Sequence, residues 1–133
     1  MENKDYTVEI LEIIRSNTSP GIMRNRLEDY HANDLAEVFP QLKVSERRKI
    51  CRILDLDMLS DIFEHIDEQE AAEYLDEMDI KKAAAILSAM ETDAVVDVLQ
   101  MIPKEKKNLL IELMDDDARK DMAIIASFDE GKI

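Results

Sequence analysis

Apolar residues along this chain recur with a period of twelve. With His31 taken as position 1, eight ungapped units begin at His31, Lys43, Asp55, Asp67, Asp79, Glu91, Pro103 and Asp115, and the register runs to Ala126. Position 8 reads Val38, Ile50, Ile62, Tyr74, Ile86, Val98, Leu110 and Met122; position 9 reads Phe39, Cys51, Phe63, Leu75, Leu87, Leu99, Ile111 and Ala123. Position 12 reads Leu42, Leu54, Ile66, Met78, Met90, Ile102, Met114 and Ala126, so three positions are apolar throughout in a chain that is only 46% apolar. Together with position 5 they have the i, i+3, i+4, i+7 spacing that lines one side of an α-helix. Position 5 is apolar in five units and basic in three, at Arg47, Lys107 and Arg119. Position 1 is Asp in four units, a residue whose side-chain oxygen caps the open N–H groups of a first turn.

Each unit therefore predicts a helix of about eight to ten residues and a short corner. A helix about 15 Å long is marginal alone and has to stack its apolar stripe on neighbours. The expected fold is all-α: a right-handed superhelix or solenoid of about ten short helices, armadillo- or HEAT-like. Ahead of the repeat, residues 6–16 read as a further amphipathic helix through Val8, Leu11 and Ile14, and residues 17–21 (Asn-Thr-Ser-Pro-Gly) form a turn cluster before residues 22–30 enter the array. Pro40 should end or kink the first unit's helix near Phe39. Residues 1–126 are read as one helical domain, and residues 127–133, which leave the repeat, as a linker.

Composition supports helices and removes several alternatives. Two Gly and three Pro in 133 residues leave little material for hairpins or phosphate loops. Thirty-one Asp and Glu against 17 Lys and Arg give a net charge of −14, which disfavours nucleic acid and an anionic lipid surface and favours cations or basic partners. One cysteine, Cys51, excludes an internal disulfide, a cysteine cage for zinc and a CxxC pair. No segment approaches the roughly 18 continuous apolar residues of a membrane span, so no direct insertion is expected of this segment. An enzyme is not expected either: there is no glycine-rich loop, GxSxG or HExxH motif, and His31 and His65 sit at helix ends without a second ligand at a helical spacing.

The acids are unevenly spread. Residues 53–80 hold eleven carboxylates and no Lys or Arg. Two carboxylates about 4 Å apart repel by roughly 1 kcal/mol in water and up to about 4 at a protein surface, and a divalent cation relieves that. The EF-hand pattern fails at both Asp55-Leu56-Asp57 and Asp115-Asp116-Asp117, which lack the Gly and spaced Glu. A cation site here would be assembled from several helices or shared with a partner, which suits Mg2+ with its retained waters.

The segment His31-Ala32-Asn33-Asp34-Leu35-Ala36-Glu37-Val38 resembles the H-P-x-D-L-A-E-V/L opening of the cytosolic N-terminal domain of MgtE-type magnesium transporters, and the twelve-residue units, Glu73-Tyr74-Leu75 among them, resemble that family's α-superhelix. The likeness runs from about Ile22 to the end, where residues 127–133 resemble the acidic lead into the family's paired CBS domains. Ala32 departs from the family's usual Pro. The resemblance implies a regulatory, Mg2+-sensing domain on the cytoplasmic side of the membrane, in a full-length protein that is a homodimer. It further implies weakly bound Mg2+ shared with CBS domains of the same polypeptide, the ion stabilising the closed state. Asp61-Ile62-Phe63-Glu64-His65-Ile66 is similar to E-V-L-x-H-L, and residues 93–100 are similar to D-D-L-A-D-x-L-Q, which carries metal-ligand roles onto Asp61, Asp93 and Asp97. At 100° per residue, Asp61 and Asp97 (position 7) and Asp93 (position 3) lie about 150° or more from the middle of the apolar stripe and should face solvent. A free-standing armadillo-like adaptor, binding a basic partner through its acidic face, is the competing reading, and the sequence downstream of Ile133 discriminates between them.

Overall fold

The computed structural model describes the backbone of residues 5–130 and the side chains of residues 5–123. Among these residues there are ten α-helices and no strands: α1 Thr7–Ile14, α2 Pro20–Leu27, α3 Ala32–Val38, α4 Val44–Ile53, α5 Leu56–Glu64, α6 Glu68–Asp76, α7 Ile80–Ala89, α8 Thr92–Leu99, α9 Lys104–Leu113 and α10 Asp116–Glu130. The eight helices from α3 onward all start at position 2 of the twelve-residue unit. Position 1 is the N-cap, and the Asp side chains perform that role: Asp55 accepts from the Met58 amide at 2.9 Å, Asp67 from Gln69 at 3.2 Å and Asp79 from Lys81 at 3.1 Å. His31 occupies the same place for α3 without a side-chain cap bond.

The corners explain why so few glycines suffice. Where α4, α7 and α9 end, the position-12 residues Leu54, Met90 and Met114 are extended, with ψ of 149°, 161° and 160°. The N-caps after α4 and α7, Asp55 and Glu91, are extended too. No described residue has positive φ, so no corner requires the left-handed backbone that favours glycine. Leu54, Met90 and Met114 are buried, so each apolar position 12 pins its corner to the core.

The chain divides into two compact units, residues 1–66 and 67–133. In the first, α1 packs on α3 and α3 on α5, while α2 packs on both α1 and α4. In the second, α6 packs on α8 and α8 on α10, while α7 packs on α9 and on α6. Each unit is thus two layers of alternate helices, and the repeating element is a pair of helices spanning 24 residues. Position 8 is buried in all eight repeats; position 9 is buried except at Ile111 and Ala123 in the last two. Position 6 adds a row of small buried residues, Ala36, Ser60, Ala72 and Ala84, which lets stacked helices approach closely. Ser60 donates its hydroxyl to the Asp57 carbonyl at 2.9 Å, which satisfies a buried polar group.

Three details differ from the sequence expectation or refine it. In α1 the buried residues are Ile10 and Ile14, and Val8 is 65% exposed. An i, i+4 pair stays within 40° on a helix, whereas Val8 and Ile14 are 120° apart. Pro40 does end α3, at Val38, and residues Phe39–Gln41 continue as one 3-10 turn. The basic residue at position 5 holds this turn: Arg47 donates to the Phe39 carbonyl at 3.0 Å, which also accepts the Leu42 amide at 3.1 Å, and to the Leu42 carbonyl at 2.6 Å. At the C-terminal end α10 continues to Glu130, so residues 127–130 of the expected linker are helical, and residues 131–133 lie outside the described residues.

Ala32 is the first residue of α3, preceded by His31 in the extended region. Proline is compatible with both, since the first helical N–H has no intrahelical partner and φ is preset. Ala32→Pro is expected to raise stability by about 0.4–1 kcal/mol through the unfolded chain's lost freedom, measured as a rightward shift in urea unfolding at unchanged slope.

The first unit also holds an ion pair of predictable pH response. Arg15 Nε donates to Glu46 Oε2 at 2.8 Å and its Nη2 to Oε1 at 3.3 Å, while Oε1 accepts the Lys43 amide at 2.8 Å. The Arg15 hydrogen bond, followed by that amide, holds the Glu46 carboxyl below its ordinary 4.5. Its stabilising contribution is therefore present above pH 4.5 and fades as pH falls through the lowered native value. Because Arg15 is 45% exposed, solvent screens much of the effect. Glu46→Gln is expected to lower the melting temperature at pH 7, and the gap from wild type should narrow as the pH is taken below 4.5 and through the lowered native value in a circular-dichroism melting series.

Candidate metal-binding face

Asp61, Asp93 and Asp97 are all exposed, as the helical phase of positions 7 and 3 requires. Asp61 lies on α5, where its backbone carbonyl is 2.8 Å from Nδ1 of His65 at the helix end. That contact, rather than a ligand role, accounts for His65. Asp93 lies in the first turn of α8 and Asp97 one turn later. The structure thus places Asp93 and Asp97 on one helix face, with Cβ atoms about 5–6 Å apart by helical geometry, and assigns Asp61 to the other unit.

Two influences act on the pair. An acid in a first turn is favoured by the helix dipole, so Asp93 has a structural reason to be there. Asp97 has no such reason, and the two like charges cost roughly 0.2–0.5 kcal/mol. No Lys or Arg occurs on α8 to offset them.

Stacking of alternate helices exposes a pattern that a twelve-residue period hides. Positions 3 and 7 hold an exposed acidic pair on α5 (Asp57 and Asp61), α8 (Asp93 and Asp97) and α10 (Asp117 and Asp121). Position 7 is also acidic on α3 (Glu37) and α6 (Glu73). In the second unit, Glu73, Asp97 and Asp121 therefore share one register position on α6, α8 and α10, which stack on one another. Asp57, Asp117, Asp121, Glu37 and Glu73 were not among the residues given metal-ligand roles from sequence. The signal that finds Glu37, Glu73 and Asp121 is an acidic position 7 recurring every 24 residues within each unit, at 37 and 61 and then at 73, 97 and 121, while Asp57 and Asp117 lie four residues ahead at position 3.

This donor set suits a hard, hydrated cation. Carboxylate oxygens, one or two per helix and open to water, match what Mg2+ takes from protein while retaining several waters. Among the described residues, no group of three or more His, Cys, Asp or Glu is arranged to hold an ion.

The profile of the family described as the MgtE intracellular N domain matches residues 30–131. The chain belongs to that family. The match begins at Tyr30, just ahead of α3, so α1 and all of α2 precede it, whereas the sequence likeness runs from about Ile22. The chain is also similar to two solved structures. One is described as the crystal structure of the soluble part of a magnesium transporter, at 26% identity and a TM-score of 0.79, covering 88% of this chain and 46% of that one. The other is described as the crystal structure of the cytosolic domain of the Mg2+ channel MgtE in complex with ATP, at 25% identity and a TM-score of 0.75, covering 88% of this chain and 48% of that one. This member of the MgtE N-domain family thus spans about half the length of those relatives. No curated protein sequence matches the chain. Among the described residues, no helix is long and apolar enough to cross a membrane.

Proposed function

We propose that this chain is the cytosolic regulatory part of a magnesium transporter, a non-enzymatic domain that senses Mg2+ by sharing ions with CBS domains of the same polypeptide. Residues 127–133 would lead toward those domains. The observation that supports this best is the outward-facing Asp93 and Asp97 pair on a helix that itself carries no Lys or Arg. In this reading Asp61, Asp93 and Asp97 contribute carboxylate oxygens, and the facing domain supplies the remainder. At high Mg2+ the ion neutralises the facing acids and favours a compact, closed arrangement; at low Mg2+ their repulsion favours separation. The ion acts by population shift, binding one arrangement better than the other.

Calorimetry tests the sharing directly. Mg2+ titrated into this chain alone is expected to bind weakly, with a Kd of about 1 mM or above, as befits sites with few ligands. A longer protein carrying the CBS pair is expected to bind at least about tenfold more tightly, since each 1.4 kcal/mol from added ligands is a factor of ten. Equal affinity in the two proteins would remove shared coordination from the mechanism.

A further inference from the structure

The net charge of −14 conceals a separation by layer. Helices α1, α3, α5, α6 and α8 carry no Lys or Arg, while α2 and α7 carry no Asp or Glu. In the first unit α2 contributes Arg24 and Arg26, and α4 contributes Arg47, Arg48, Lys49 and Arg52 against the single acid Glu46, which is engaged by Arg15 and the Lys43 amide. Between α2 and α4 lies an open cleft of about 480 Å3, lined by Pro20, Gly21, Arg24, Lys49, Arg52 and Ile53. Its lining has three cationic side chains and no carboxylate.

Arg47 and Lys49 have structural partners: Arg47 holds two carbonyls, and Lys49 Nζ donates to the Ile14 carbonyl at 3.1 Å, with two further N–H groups to give. Arg24 and Arg52 are different. Both are exposed, and among the described residues neither guanidinium has a hydrogen-bond or ion-pair partner, in a chain with nearly twice as many acids as bases. The cleft is open at Gly21, where a Cβ would meet nothing within 4 Å.

We propose that this cleft binds a phosphate-bearing anion, held by the Arg24 and Arg52 guanidinium groups with the Lys49 ammonium beside them. Guanidinium forks match phosphate oxygens bidentately, and the volume falls in the roughly 300–1,000 Å3 range of small-ligand clefts. The lining offers little to an acidic peptide, which needs apolar anchors; here only Pro20 and Ile53 are apolar. The phosphate could belong to a soluble metabolite or to a lipid headgroup, and the chemistry at the cleft is the same. The proposal is independent of the acidic face, because its residues lie on the other layer.

The test is amide NMR on the 133-residue chain at constant ionic strength, titrating inorganic phosphate and then pyrophosphate. Vesicle flotation follows, with phosphatidylcholine and phosphatidylserine at 4:1. Saturable shifts confined to Gly21, Arg24, Lys49, Arg52 and Ile53 are expected, with pyrophosphate tighter than phosphate. Arg24→Gln with Arg52→Gln should weaken binding at least about tenfold, as loss of charge-assisted hydrogen bonds does, while Lys81→Gln with Lys82→Gln, the same charge change on α7, should leave it intact. Flotation lost in the arginine variant identifies a headgroup as the source; soluble anions binding without flotation identifies a metabolite. Both support the site. Non-saturating shifts, equal weakening by the two double variants, or flotation without binding of either soluble anion would overturn it.

Discussion

Phe63→Ala is expected to cost about 3–5 kcal/mol, the range for emptying a buried aromatic site. Phe63 is 1% exposed and meets Phe39 edge-on, with ring centroids 5.8 Å apart and planes at 79°. Both rings occupy position 9, Phe39 just beyond α3 and Phe63 on α5, so the contact ties together two helices that stack within the first unit. The substitution removes the ring's burial, its edge-to-face contact and the support of Phe39 at once. Domains are stable by about 5–15 kcal/mol in total, so the loss consumes a large share of the reserve. A melting temperature lowered by about 10 °C or more is the expected reading in calorimetry, at roughly 3–5 °C per kcal/mol for a chain of this size. Leu109→Ala is the control. Leu109 is apolar but stands at the outward position 7 and is 52% exposed, so its loss should change stability by no more than about 0.5 kcal/mol. If Leu109→Ala proved as damaging as Phe63→Ala, the assignment of positions 8 and 9 as core and position 7 as surface would fail.

The largest functional effect under the proposed function is expected in a longer protein that carries the CBS pair rather than in this chain. Substituting Ala at Asp61, Asp93 and Asp97 together should abolish the Mg2+-dependent compaction of the cytosolic region, read as the change in radius of gyration between chelator and excess Mg2+. A ligand shifts a two-state equilibrium only by its difference in affinity for the two states. Moving it from 1:99 to 99:1 requires about 5.5 kcal/mol. In the proposed mechanism these three carboxylates supply that difference, so removing them removes it. Because all three residues are exposed and away from the core, the variant should fold normally. Its stability in chelator should change little, since the few tenths of a kcal/mol of relieved Asp93 and Asp97 repulsion are offset by the loss of Asp93's favourable interaction with the α8 dipole. A variant that still compacted over the same range of Mg2+ would clear these residues of the role. The neighbouring register partners Asp57, Asp117 and Asp121 would then be the next acids to replace.

Most of the candidate site was readable before the structure, for a simple reason. Whether Asp97 points outward depends on its phase relative to Val95, Val98 and Leu99 on the same helix, and that phase is local. Likewise Asp55, Asp67 and Asp79 announced the helix starts through their own capping chemistry. Val8 was misplaced because an i, i+3 series drifts around the helix over two steps, a matter of phase rather than of long-range contact. The row formed by Glu73, Asp97 and Asp121 could not be recognised in the same way, because nothing within α6, α8 or α10 says which of the other helices it lies against.

The amino-acid sequence alone determined the helix register, with starts every twelve residues from Ala32 to Asp116, and the buried stripe at positions 8, 9 and 12. These follow from backbone hydrogen bonding and side-chain phase within a dozen residues. Only the tertiary structure decided that, within each of the two units, a helix packs on the next but one. That choice depends on contacts between residues about 24 apart, which local periodicity does not specify. It sorts the charges into an acidic and a basic layer, where a sum over the whole chain shows nothing but a large negative number.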